Sequence, residues 1–248
     1  MHIAICDDNI ADRHQSERLV GRESERRKTD EEGYYVDSYG SFDAIMPTGS
    51  MYDLFFIDLT DSPEGDGLDL VCALQQAGAP GYFVLCSSSV DYKKRAAEMA
   101  GRIPYPTHIR HLSKPILVDE LRAVIDELTP LAEDRMPMIE LRGVAIGDTA
   151  YVLPSDIICA QSDGFNTTVR LDRSDRKEIV VPGDAYILFR ELEDNPYFYP
   201  THDKRGFVNI THVKSTAIFR VEMNDGSVIR TSPYYSKQIR EKIKELGI

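Results

Sequence analysis

Long apolar runs are missing from this sequence, as are close cysteine pairs, low-complexity tracts and any surplus of basic charge. Each absence removes a class of protein. No stretch approaches the roughly 20 consecutive apolar residues that a membrane-spanning helix needs, so no membrane partner is expected. The opening MHIAICDDN sets two aspartates directly after a short apolar run. That pattern does not fit a secretory signal, and a cytoplasmic location is expected. Cys6, Cys72, Cys86 and Cys159 lie far apart, without the paired spacing of zinc or redox motifs. They read as buried thiols in a reducing compartment. At 42% hydrophobic and 28% charged residues, the composition is that of an ordinary globular protein and not of a disordered one.

The deficit of basic residues bears on partners. Net charge is −12, whereas a protein that contacts nucleic-acid phosphates ordinarily presents basic surface. The acid is unevenly spread. Residues 1–129 hold 13 of the 29 Lys+Arg and 23 of the 41 Asp+Glu, which leaves 16 against 18 for residues 130–248. The second half is close to neutral.

What is present is a change of rhythm at midchain. The first half alternates apolar runs with helical patterns: HIAIC and Ala11 to Lys28, YYVDSY and Phe42 to Met46, DLFFI and Leu68 to Ala77. It continues with YFVLC and Tyr92 to Ala100, then THIRHL and Leu117 to Leu128. Five strand–helix units predict a doubly wound, five-stranded parallel sheet, buried on both faces, over residues 1–128. TPLAEDRMPM, with two prolines, reads as a linker over residues 129–137. Beyond it come closely spaced β-rich runs: MIELRG, TAYVLP, DIICAQS, NTTVRL, EIVVP, YFYPTH, TAIFRVEM and SVIRTS. Helical signals there are confined to Ala185 to Leu192 and Ser236 to Leu246, so residues 138–248 form a second, mostly β domain.

Functional groups of a parallel sheet gather at the carboxyl ends of its strands. Asp7 and Asp8 follow the first predicted strand, Asp58 the third, Ser87 the fourth and Lys114 the fifth. Three converging carboxylates repel unless a cation or a proton neutralises them. Oxygen-only ligands suit Mg²⁺, which bridges carboxylates to phosphate oxygens. A hydroxyl and an ammonium complete a set suited to phosphoryl transfer. Taken singly, the Asp pair reads equally as a loop or helix cap, Ser-Ser-Ser as a turn and Lys-Pro as a solvated loop; the conjunction in strand order carries the signal.

On these residues the first half resembles response-regulator receiver domains, whose fold is flavodoxin-like. The resemblance implies Asp58 as phosphoacceptor, Asp7, Asp8, Asp58 and the Thr60 carbonyl as metal ligands, Ser87 as switch hydroxyl and Lys114 as phosphate-contacting cation. It also implies a cis Lys114–Pro115 bond. Two features depart from the pattern: the loop after Asp58, DLTDSPEGDGLDL, is one residue longer, and His111 stands where a rotating Tyr or Phe is usual.

The second half carries SDIICAQSDGFNTTVRL, PYFYPTH, GFVNITHVKS and VEMNDGSVIRTS in order. This set resembles the LytTR DNA-binding domain, a mostly ten-stranded β fold that presents loops to the major groove. Carried over by position, the DNA-facing residues are Asn166, Lys204, Arg205, Arg230, Ser232 and Lys237. The Asp225-Gly226 pair reads as a type I′ hairpin turn.

The expected function is a phosphorylation-controlled transcriptional response regulator and not an enzyme, with a sensor histidine kinase and double-stranded DNA as partners; a homodimer is one assembly compatible with it, and the sequence does not fix the oligomeric state. The alternative is a receiver-controlled protein-interaction module with weak or no DNA binding. A Mg²⁺-dependent phosphatase with the same acidic pocket would need a second catalytic apparatus, for which the sequence has no candidate.

Overall fold

The computed structural model describes residues 1–28, 33–60, 66–99, 101–202 and 205–247. The chain divides into two compact units, Met1–Pro137 and Met138–Ile248.

In the first unit the strands are β1 (His2–Cys6), β2 (Tyr35–Tyr39), β3 (Leu54–Asp58), β4 (Tyr82–Ser87) and β5 (Ile109–Ser113). Between and after them run α1 (Ile10–Arg27), α2 (Phe42–Ile45), α3 (Gly67–Gln76), α4 (Tyr92–Glu98) and α5 (Val118–Glu133). All strands are parallel, in the order β2-β1-β3-β4-β5. This is the doubly wound, flavodoxin-like order. Alternation along β3 shows why it is buried twice over. Leu54 and Phe56 enter a core with Ile3, Val84, Leu121 and Ile125, while Phe55 and Ile57 enter another with Ala4, Phe83, Leu68 and Leu74.

The linker expected at 129–137 is shorter in the structure, because α5 runs on to Glu133 with Pro130 inside it. The apolar stripe explains this: Leu121, Ile125, Leu128 and Ala132 are all buried, so the continuing face offsets the hydrogen bond that Pro130 cannot donate. Asp134 N donates to the Pro130 carbonyl at 3.0 Å, and Arg135 pairs with Asp53 at 2.8 Å.

His108, just before β5, packs tilted against Tyr82 and stacks on Tyr105, with ring centroids 4.5 and 5.2 Å away. Burial, aided by the nearby Arg110 charge, pushes its pKa down to about 4 from 6.5. Below pH 6.5 the unfolded chain therefore takes up a proton that the folded chain refuses, so this contribution is complete above pH 6.5 and is lost as pH falls towards 4. His108→Phe keeps the stack and removes the titration. Urea denaturation should show a pH 7 to pH 4 stability loss smaller than in the wild type by about 2–3 kcal/mol. Parallel curves for the two proteins would refute this.

The second unit contains ten strands among the described residues. They are β6 (Ile139–Arg142), β7 (Thr149–Val152), β8 (Ile157–Ser162), β9 (Asn166–Leu171), β10 (Glu178–Pro182), β11 (Phe198–His202), β12 (Gly206–Asn209), β13 (Val213–Ala217), β14 (Arg220–Met223) and β15 (Val228–Arg230). The helices are α6 (Ala185–Leu192) and α7 (Pro233–Leu246). Every pairing is antiparallel, in sheets ordered β10-β9-β8-β12-β11, β13-β14-β15 and β6-β7. The five-stranded sheet separates two cores: Ala160, Val169 and Phe207 face one, and Cys159 and Val208 face the other. This is a mostly β domain.

Two local expectations are corrected. TAIFRVEM is not one strand but the meeting of β13 and β14 across a two-residue turn, Ile218-Phe219, in which both side chains are exposed. Apolar residues at a turn give no periodic or turn-residue signal. The Asp225-Gly226 hairpin is a three-residue loop, with Gly226 N bonded to Met223 O, Met223 N to Ser227 O, and Gly226 at φ +83°. Asp225 fixes it by accepting the Ser227 N–H at 2.9 Å, which selects the longer loop over type I′. No helix among the described residues is long and apolar enough to cross a membrane.

Candidate functional site

β1 and β3 are neighbours in the sheet, yet the chain leaves β1 for the outer strand β2 before returning to β3. That reversal opens a crevice at their carboxyl ends. Asp7, Asp8 and Asp58 lie there, each offering a carboxylate oxygen, with the three oxygens within 4.8 Å of one another. Asp7 and Asp58 are buried and Asp8 is exposed. Thr60 lies two residues beyond Asp58, half-buried.

Lys114 reaches into this cluster. Its Nζ donates to Asp58 Oδ1 at 2.5 Å, Asp7 Oδ2 at 2.7 Å and Asp12 Oδ2 at 3.0 Å. The Lys114–Pro115 peptide is cis. Burial pushes the Asp58 carboxyl up, and Asp7 and Asp8 add to this, while Lys114 opposes it. Burial works against the Lys114 charge, but its bonds to Asp58, Asp7 and Asp12 outweigh burial and hold the ammonium above the ordinary lysine range. One ammonium among four carboxylates leaves the pocket acidic. Hard oxygen donors with excess negative charge fit a Mg²⁺-type cation, and Asp7, Asp8 and Asp58 are the residues that would hold it.

Two backbone features fix Asp58. Gly67 opens α3 so close to the strand that a Cβ would collide with the Asp58 carbonyl oxygen. Asp66 caps α3, accepting from Asp69 N at 2.9 Å, and pairs with Arg95 of α4. Ser87, also buried, lies within 2.7 Å of His111 Nε2 and 3.3 Å of the Val90 carbonyl. His111 stacks flat on Tyr92 of α4, with centroids 5.0 Å apart and planes 3° apart, and burial pushes its pKa down. A cleft of about 340 Å³, lined by Asp12, Gln15, Ser88, Lys114 and Ile116 among others, opens beside the pocket.

The expected DNA-facing segments come together at one end of the second unit. Ser162 N donates to the Arg205 carbonyl at 2.8 Å, and the Ser162 hydroxyl to the Asn166 carbonyl at 3.1 Å. Ser232 N and the Thr231 hydroxyl both bond the Thr201 carbonyl, at 3.1 and 2.7 Å. Asn166 begins β9 and lines a groove of about 510 Å³ with Gln161, Thr168 and Arg170. Arg205, Arg230 and Lys237 are exposed, Lys237 facing Glu241 at 3.7 Å. Ser232 caps α7, accepting from Tyr235 N at 3.3 Å. Lys204 lies outside the described residues.

Two participants were not anticipated: Asp12 and Tyr92. Asp12 follows from its place in the first turn of a helix that begins beside the strand ends. For the Tyr92–His111 stack the sequence offers no signal, since it joins a helix to a strand.

Neither a protein-family model nor a curated protein matches the chain. Among solved structures, the first unit is similar to a CheY-like response-regulator receiver domain from Methanospirillum hungatei, at 15% identity and TM-score 0.42, covering 53% of this chain and 95% of that one. A two-component transcriptional regulator from Clostridium phytofermentans gives 16% and 0.43, covering 54% and 95%. The LytTR DNA-binding domain of a methyl-accepting/DNA response regulator from Bacillus cereus gives 17% and 0.35, covering 43% and 95%.

Proposed function

We propose that this chain is a phosphorylation-controlled transcriptional regulator of the cytoplasm, in which Asp58 accepts a phosphoryl group and the second unit binds duplex DNA. One observation carries the reading: Asp58 stands at the sheet's reversal point with the Lys114 ammonium at 2.5 Å and the carboxylates of Asp7 and Asp8 beside it. An Asp58 carboxylate oxygen attacks the phosphorus of a phosphohistidine on a partner kinase. The P–N bond breaks, the imidazole nitrogen keeps the electron pair and is then protonated, and an acyl phosphate remains on Asp58. Lys114 is placed to hold a phosphoryl oxygen. Asp7, Asp8, Asp58 and the Thr60 carbonyl would hold a Mg²⁺, which would supply positive charge against the phosphoryl oxygens. The phosphoryl stays on the chain, so the protein acts as a regulator and not as a turnover enzyme. Ser87 donates its single hydroxyl proton to the Val90 carbonyl, and a phosphoryl oxygen on Asp58 competes with that carbonyl for it. That competition couples Asp58 to α4 through the His111–Tyr92 stack and biases a two-state element that governs dimerisation and DNA access.

Selection from a random DNA pool with the phosphorylated full chain tests the output. Enrichment of a motif is expected. Asn166→Ala should then cost about 1–3 kcal/mol on the selected site and little on random DNA, as a base contact does. Lys237→Ala should weaken binding to all duplexes and lower the salt slope by about one, as a phosphate contact does. The near-neutral second half favours a second reading, a receiver-controlled protein-interaction module. A pool from which nothing is enriched at low salt selects that reading.

A further inference from the structure

The hairpin of β14 and β15 places Arg220 directly opposite Arg230. The next pair inward, Val221 and Ile229, is fully buried, so alternation puts both arginines together on the outer, exposed face. Like charges directly opposite on neighbouring strands destabilise a sheet. Neither guanidinium has an ion-pair partner among the described residues. Glu222 on the same strand is engaged by Lys214 at 2.7 Å and Ser215 at 3.1 Å, with Arg220 only adding to the field that holds its carboxyl low. The fold therefore maintains two adjacent cations that have no dedicated anion among the described residues.

The neighbouring turn is as uncommon. Two-residue hairpin turns ordinarily carry Asn-Gly or Gly, but here Ile218 and Phe219 occupy the turn, 62% and 65% exposed. The turn is tied at both residues: the Ser236 hydroxyl donates to the Ile218 carbonyl at 2.8 Å, and Thr231 N to the Phe219 carbonyl at 3.0 Å. Thr231 and Ser236 are buried, so the turn is fixed to the body of the unit and its side chains are held outward. It is also continuous with the segments read as DNA-facing. The residues that bind it flank Ser232, and Thr231 in turn binds Thr201, next to His202 at the end of β11.

We propose that Arg220 and Arg230 form a phosphate clamp for duplex DNA, with Phe219 packing against the sugar or a thymine methyl beside the clamped phosphate. This rests on the DNA-binding reading above and adds to it a fourth contacting element, the β13–β14 turn. Charge complementarity selects the occupant. Two adjacent guanidiniums match a phosphate, whose oxygens accept bidentate hydrogen bonds, and duplex DNA presents apolar sugar and methyl surface next to each phosphate. A protein partner would have to bring its own carboxylates to the same spot to avoid desolvating unpaired cations.

The test uses the full chain and a labelled random-sequence duplex several helical turns long, titrated at a series of salt concentrations. Arg220→Gln should weaken binding about three- to tenfold and lower the slope of log K against log salt by about one; the double variant with Arg230→Gln should lower it by about two. Arg220→Lys should retain the slope. Phe219→Ser should weaken binding several-fold with the slope unchanged. All three side chains are exposed, so Phe219→Ser and Arg220→Lys should melt with the wild type and the glutamine variants at or slightly above it, since these relieve the like-charge pair. If the wild type binds and Arg220→Gln keeps its affinity and slope, the clamp is overturned and the DNA-binding reading survives. If the wild type binds no duplex at low salt, both fall. If Arg220→Gln changes only self-association in sedimentation, the turn is a protein interface and the clamp is overturned.

Discussion

Incubated with Mg²⁺ and a small phosphodonor such as acetyl phosphate, the wild-type chain should gain the mass of one phosphoryl group, and Asp58→Asn should gain none. The pocket holds four carboxylates, but they are not equivalent. Asp8 is exposed and Asp12, though it also reaches the Lys114 ammonium, lies at the rim, whereas Asp7 and Asp58 are buried against that ammonium. Asp7 is further engaged, its Oδ1 accepting from Asn9 N at 2.9 Å. Asp58 ends β3, with its backbone braced by Gly67, and its Oδ2 has no hydrogen-bond partner among the described residues, whereas both oxygens of Asp7 are engaged. Asparagine has nearly the same shape and keeps Lys114 supplied with Asp7 and Asp12, so Asp58→Asn should fold and melt close to the wild type. Intact-mass spectra with hydroxylamine treatment, which cleaves acyl phosphates, read the result. Equal phosphorylation of both proteins would place the acceptor elsewhere and remove the basis of the proposed input.

The largest stability effect is expected far from that pocket, at Glu23 on α1. Its carboxylate is 2% exposed, yet it pairs with Arg26 at 2.8 Å, Arg27 at 3.5 Å and, across to α5, Arg122 at 2.8 Å. Burial alone would push this carboxyl up; the bonds from Arg26 and Arg122 outweigh burial and hold it below the usual carboxylate range. Removing one partner of a buried ion pair costs about 3–5 kcal/mol, and the lower end applies here because Arg26 and Arg122 keep contact with water. Glu23→Ala should therefore lower the unfolding free energy by roughly 3 kcal/mol at pH 7 in urea titrations. Glu23→Gln, which keeps the volume and one acceptor, should lose about half of that. Because the folded-state value is depressed, the contribution is complete above the unfolded carboxylate range and fades as pH falls through it. A midpoint unchanged in Glu23→Ala would show that the arginines merely surround the residue.

Which features were legible follows from how locally each is encoded. Asp7, Asp58, Ser87 and Lys114 each follow a short apolar run, and in a parallel sheet those run ends share one edge, so the pocket could be assembled without coordinates. The parallel order itself followed from the alternation of strands and helices. Asp12 escaped because helical phase decides whether it faces the pocket, and a residue's shift in phase turns it away. Pro130 misled because proline is ordinarily a stop, and only the packed stripe of Leu128 and Ala132 overrides it. Ile218 and Phe219 misled for the opposite reason: apolar residues read as strand interior, whereas these sit at a turn. The pairing of Arg220 with Arg230 depends on hairpin register, which nine intervening positions do not specify until the Asn224–Gly226 loop length is known.

All four native cysteines are buried, and burial pushes the thiols of Cys6, Cys86 and Cys159 up to about 12. At neutral pH such thiols are ionised to roughly one part in 100,000, and only the thiolate reacts with alkylating dyes. These three thiols are thus close to a blank background for thiol chemistry, and the fourth, Cys72, is buried as well. A single cysteine placed on an exposed side chain, such as Ile146 on the β6–β7 loop or Tyr35 at the start of β2, becomes a selective attachment point for a fluorophore or spin label with the native cysteines left in place. Movements that accompany phosphorylation can then be followed by distance measurements on the otherwise unaltered sequence.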